Sequence, residues 1–135
     1  MKRNLDMNHL LSSVDVPAEW VGLREVTEAH TPRMIRDGVP VTNGRFSTHG
    51  IMVEVLVNGQ FGYYGTPDLT AEGVAVAARK AHKQAELASR YSTYHFDESA
   101  RPSHKGSYQS PFMKSRESLS AGRLNEILLE AYNHL

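Results

Sequence analysis

One hairpin limits what this chain can become. Residues 51–57 place Ile51, Val53, Val55 and Val57 on one side of an extended backbone and Met52, Glu54 and Leu56 on the other. A strand that is apolar on one face and mostly apolar on the other is central to a sheet or covered on both sides. Asn58-Gly59 follows, a pair that tolerates the positive φ required at both central positions of a type I′ turn. Gln60 to Tyr64 is then the return strand. The segment therefore has to fold as part of an antiparallel sheet that buries at least one face.

Upstream, Asp37-Gly38 and Asn43-Gly44 are further turn candidates. They separate short extended stretches at Met34 to Asp37, Val39 to Val41 and Phe46 to His49, which together describe a meander. Trp20 to Thr31 alternates loosely, with Val21, Leu23 and Glu25 opposing Gly22, Arg24 and Val26, and is read as another strand ending near Pro32. Before it, residues 4–14 suggest a short helix with Leu5, His9 and Ser12 or Ser13 on one face, closed off by Pro17.

After the hairpin the period changes. Asp68 or Thr70 is an N-cap candidate and Glu72 lies in the first turn. Val74, Ala78, Ala81, Ala85 and Ala88 then recur at helical spacing. So narrow a stripe of small residues predicts a helix pressed close to the sheet. From Tyr91 to Lys114 periodicity is lost among Ser, Pro, His and Tyr, and the segment reads as a long ordered arm. A last helix begins near Ser118 or Ser120, with Leu124, Ile127, Leu128, Ala131 and Leu135 as its stripe. The stripe runs to Leu135 without a C-cap glycine, so this helix is expected to continue in a longer protein. The expected fold is α/β of the α+β type, an antiparallel sheet of four to five strands with helices packed on one face. The expected organisation is an N-terminal segment (1–17), a sheet-plus-helix core (18–90), an irregular arm (91–117) and the start of a C-terminal helix (118–135).

Composition narrows the chemistry. With 135 residues a single domain is favoured. Fifteen basic residues balance fifteen acidic ones, which disfavours the nonspecific nucleic-acid binding that a basic surface provides. The absence of cysteine excludes disulfides, thiolate metal sites and a Cys nucleophile within this chain. Asp and Asn interrupt the start of the chain where a signal peptide would need an apolar run, and no stretch approaches the roughly 20 apolar residues of a membrane span. A cytoplasmic location is the expectation.

No catalytic, cofactor-binding or metal-binding residue is assigned. The seven histidines include no HExxH or HExxxH, and His82 has no paired ligand one turn away. His95-Phe96-Asp97-Glu98 gathers polar groups without a rigid scaffold, and His30, His49 and His104 show no spacing logic. The glycines between Gly59 and Gly65 are interleaved with aromatics and do not connect a strand to a helix N-terminus, so they suit a strand better than a phosphate loop. Ser47-Thr48-His49 lacks a partner acid at an interpretable distance. Phe61, Tyr63 and Tyr64 have no basic residue among them, which favours a core or groove wall over base stacking. Arg79, Lys80 and Lys83 share their helix with Glu72 and Glu86, as a solvated face does.

The order of these features resembles a known family. Asn43-Gly44-Arg45, the run from Gly50 through Tyr63, and Asp68-Leu69-Thr70 leading into an alanine-rich helix resemble the N-terminal domain of the TldD/PmbA metallopeptidases, also called the modulator of DNA gyrase family. Gly106 to Pro111 and Leu124 to Ala131 resemble the arm and second helix that follow there. The resemblance covers most of residues 20–135, although family members often have a longer first helix than the region before Ala18 allows. It implies zinc-dependent peptidases acting on unfolded peptides, assembled as homo- or heterodimers. Their metal site is an HExxxH helix and a further cysteine far downstream, and no residue here matches it. The chain is thus expected to be a non-catalytic N-terminal domain that contributes scaffold, dimerisation or substrate access. The alternative is a stand-alone module that pairs with or regulates a full-length member.

Overall fold

The computed structural model describes residues 5–102 and 107–135. Asn4, His104 and Gly106, which carried readings above, lie outside the described residues. The element order is α1 (Met7–Ser12), β1 (Trp20–His30), β2 (Arg33–Arg36), β3 (Val39–Asn43), β4 (Phe46–Val57), β5 (Gln60–Thr66), α2 (Ala71–Ser89) and α3 (Ala121–Asn133). The fold is α+β. Among the described residues five strands form two sheets, however, and not the single sheet of four to five strands expected from sequence. One sheet has the order β1-β4-β5 and the other is the β2-β3 hairpin. The hairpin lies between Pro32 and Gly44, whose N–H returns to the Pro32 carbonyl at 3.2 Å. Asn43-Gly44 therefore closes a loop and is not a positive-φ turn, and among the described residues the turns with positive φ are those at Asp37-Gly38 and Asn58-Gly59.

The chain divides into two compact units. The first comprises residues 1–28 and 48–104 and the second residues 29–47 and 105–135. In the first unit β4 and β5 pair antiparallel, with Val53 opposite Tyr64, Val55 opposite Gly62 and Leu56 opposite Phe61. Ile51, Val53 and Val55 are essentially inaccessible and meet Val74, Ala77, Ala78, Ala81 and Ala85 of α2. Removing such a side chain from water contributes about 1.5–3 kcal/mol. The approach is as close as the alanines predict. A Cβ on Gly62 would lie 2.0 Å from the Ala81 carbonyl oxygen. Ala88, placed on the same stripe by sequence, is exposed, because the buried face ends at Ala85.

Thr70 is the N-cap of α2, its hydroxyl accepting from the Gly73 N–H at 3.1 Å. At the N-terminus it is Leu10 that enters the core, while His9 faces solvent. Ser13 Oγ reaches the Ala71 carbonyl and the His82 Nε2 meets the Pro17 carbonyl at 3.1 Å, tying this segment to α2.

In the second unit β2 pairs with β3 with a register shift between Met34 and Ile35, and α3 packs on β2. Ser120 caps α3, accepting from the Arg123 N–H at 3.1 Å. Leu124, Ile127, Leu128 and Ala131 recur at helical spacing as predicted, but no residue of α3 is buried and Leu135 is fully exposed beyond its end.

Candidate binding face

The second face of the β1-β4-β5 sheet is the part of the first unit that the helices leave uncovered. Val21 and Leu23 of β1 pack toward the α2 side, so alternation sends Trp20, Gly22, Arg24 and Val26 to the other. Met52, Glu54 and Leu56 of β4 and their cross-strand partners Gly65, Tyr63 and Phe61 share that second face. It is covered at one end and open at the other. The open end is a groove of about 380 Å³ lined by Arg24, Val26, Thr48, Gly50, Met52 and Gly65 among others. A smaller hollow of about 150 Å³ adjoins Trp20, Gly22, Met52 and Glu54. Gly22 is where the Trp20 ring lies, since a Cβ there would come within 2.2 Å of Cη2.

The covered end holds a strap, residues 92–101, which is the first part of the arm. The Phe96 N–H donates to the Gly59 carbonyl at 2.9 Å. Gln60 Nε2 donates to Ser92 Oγ at 2.5 Å and to the Tyr94 carbonyl. Phe96 packs on Phe61 at 5.5 Å between ring centroids and edge-on to Tyr94 at 4.8 Å, while Trp20 meets Phe61 edge-on at 6.2 Å. Arg101 lies over the same Phe61 ring at 4.4 Å. Its Nε and Nη2 donate to Glu54 Oε1 at 2.8 and 2.6 Å, and Nη2 also reaches the Tyr63 hydroxyl at 3.1 Å.

This charge arrangement has consequences for protonation. The hydrogen bonds that Arg101 donates to Glu54, more than any other influence, raise the Arg101 pKa above its ordinary value. The Tyr63 phenol is pushed above 10.0, first by burial and then by the neighbouring Glu54 carboxylate, with Arg101 partly opposing. Each contact is individually small. An exposed ion pair contributes about 0–1 kcal/mol, an exposed cation–π contact about 0.5–1 and an aromatic pair about 0.5–1.5.

Other residues weighed for chemistry do not converge. His95 packs on Gly59, Asp97 accepts from the Ser99 backbone and hydroxyl, and Glu98 begins a 3-10 turn. His49 does find an acid, its Nε2 lying 2.8 Å from Glu25 Oε1, a cross-strand pair that no local spacing announces. Arg79 pairs with Glu72, and Lys80 reaches the Tyr64 hydroxyl at 2.9 Å. Among the described residues no group of three or more His, Asp or Glu side chains converges as a zinc site requires. No helix among the described residues is long and apolar enough to cross a membrane.

Residues 23–85 match the family model of PmbA/TldA metallopeptidase domain 1. The match bears out the resemblance read from the residues between Asn43 and the alanine-rich helix. It runs from Leu23 in β1 to Ala85 in α2, so it takes in the sheet, its second face and the helix packed on the first face. The domain 1 match does not reach the strap or α3. No curated protein and no solved structure matches the chain.

Proposed function

We propose that this chain is the non-catalytic N-terminal domain of a TldD/PmbA-like zinc-dependent peptidase acting on unfolded peptides, to which it contributes scaffold and substrate access. The observation that carries this reading is the domain 1 match across β1 to α2. The scaffold is the buried contact between α2 and the sheet, and access is the role suited to the open second face. Zinc belongs to the parent protein. The working assembly is a homo- or heterodimer with a family member, in the cytoplasm, and the cysteine-free composition accords with that location. The purified chain should cleave no unfolded peptide with or without added zinc, and it should co-purify with a co-expressed full-length family member. Zinc-dependent cleavage by the chain alone would overturn the reading.

A stand-alone binding module that pairs with or regulates a full-length member is the second reading, favoured by the open groove beside the strap. The reading frame distinguishes the two. Continuation into a segment with HExxxH supports the peptidase domain, and a stop codon directly after Leu135 supports the module.

A further inference from the structure

The strap occupies its face as a ligand would. It adds no strand to the sheet. Its attachment is one backbone bond from Phe96, two bonds from the Gln60 amide, and a set of side-chain contacts centred on Phe61 and Glu54. Its own side chains stay largely in water, with Tyr94 at 65% and Phe96 at 41% exposure. Phe61 takes two different groups from it, an aromatic ring and a guanidinium, supplied by Phe96 and Arg101. Glu54 is the carboxylate that selects the cation, on a strand whose neighbours on that face are Met52 and Leu56. Among the described residues the same face continues beyond Glu54 into the hollow beside Trp20 and the groove floored by Met52, Gly50 and Gly65.

We propose that this face is a receptor for extended polypeptide bearing an aromatic residue and, five positions later, an arginine, and that residues 92–101 are its built-in, displaceable occupant. The aromatic group packs on Phe61. The guanidinium stacks on the same ring and bonds Glu54 and Tyr63. Gly59 and Gln60 hold the backbone of the occupant at Phe96 and Tyr94, and Gln60 also takes the Ser92 hydroxyl. A longer segment of this chemistry gains the open groove as well, contacts the strap does not make, and can therefore displace it. A short tether keeps the strap at high effective concentration, so only occupants that use the additional groove, or that meet a weakened strap, compete well. The inference goes beyond the role proposed above and is decided on this chain alone, with no peptidase in the assay.

Trp20 is the single tryptophan and lies against Phe61, so its fluorescence reports the state of the face. The test is titration of the full 135-residue chain with a synthetic peptide of the 92–101 sequence. Wild type is compared with the double variant Phe96→Ala/Arg101→Ala, whose own strap is disarmed. The double variant should bind the peptide at least about tenfold more tightly than wild type. Adding Glu54→Gln should abolish that gain, and a peptide of scrambled sequence should give no response. Equal binding by wild type and double variant, binding by neither, or a gain that survives Glu54→Gln overturns the proposal. So does loss of the α2 circular dichroism signal in the double variant, because a strap needed for folding is not a displaceable occupant.

Discussion

The two compact units use the same local devices and reach different ends. Each contains a hairpin closed by a residue pair in the left-handed region, with φ of 52° and 73° at Asp37-Gly38 and 50° and 72° at Asn58-Gly59. Each contains a helix capped by a hydroxyl that accepts from the third backbone N–H at 3.1 Å. Yet the first unit buries Ile51, Val53, Val55 and five apolar residues of α2, whereas among the described residues of the second none is buried. Turns and caps decide where elements start and stop, and they do not supply a core. The first unit has one because β4 offers an unbroken β-branched face and α2 offers alanines that let it come close. In the second, β3 contains Pro40, the register slips beside it and Arg33 and Arg36 flank the apolar pair of β2. Too little apolar surface is left there to exclude water.

The same insult delivered to each unit should therefore have unequal cost. Val55→Asp places a carboxylate at a fully buried site with no cation beside it and should cost more than about 4 kcal/mol, enough to unfold the domain. Met34→Asp, at an exposed position of β2, should stay within about 0.5 kcal/mol. Urea unfolding of both variants measures the difference, and comparable losses would remove the distinction between the units. A smaller effect is expected at the glycines. In Gly62→Ala the new methyl meets the Ala81 carbonyl, which is backbone and cannot swing aside, so about 1–3 kcal/mol should be lost. In Gly38→Ala the nearest atom is Tyr132 Cε1 at an ordinary 3.5 Å, so only the left-handed backbone is penalised, by roughly 1–2 kcal/mol. A crystal structure of Gly62→Ala should show α2 displaced from β5, and an undisplaced helix would mean the sheet yields in its place.

What was legible follows the same division. The β4-β5 hairpin and the cap and stripe of α2 were readable because period, turn residues and burial agree there. The separate β2-β3 sheet was not, since Asn43-Gly44 has the composition of a hairpin turn and only the return of the Gly44 N–H to Pro32 shows that it closes a loop. The strap has the sequence of an irregular arm because its partners lie far away in the chain and leave no period. One signal pointed to it. Glu54 interrupts an otherwise apolar strand face, and a carboxylate there requires a cation, which Arg101 supplies from 47 residues downstream. The His49–Glu25 pair was missed for the same reason.

The gentlest test of the comparison is the pair of helix caps. Thr70→Ala and Ser120→Ala remove the same kind of bond from two N-termini of matching geometry. A hydroxyl cap contributes about 1 kcal/mol, but that energy enters the unfolding equilibrium of a domain only if the helix it caps is part of the cooperative unit. α2 is, through its six buried residues, so Thr70→Ala should lower global stability by about 1 kcal/mol. α3 has thirteen residues and none buried, a length at which a helix is marginal without packing. Ser120→Ala should leave the global midpoint unchanged and instead raise amide exchange across the first turn of α3, at Gly122 to Leu124, relative to β4. If Ser120→Ala shifts the midpoint as far as Thr70→Ala does, α3 unfolds together with β4 and α2, and its apolar stripe is bound more firmly than its exposure indicates. If exchange in α3 is already unprotected in wild type, the hydroxyl has no helix to hold, and packing alone separates the two units.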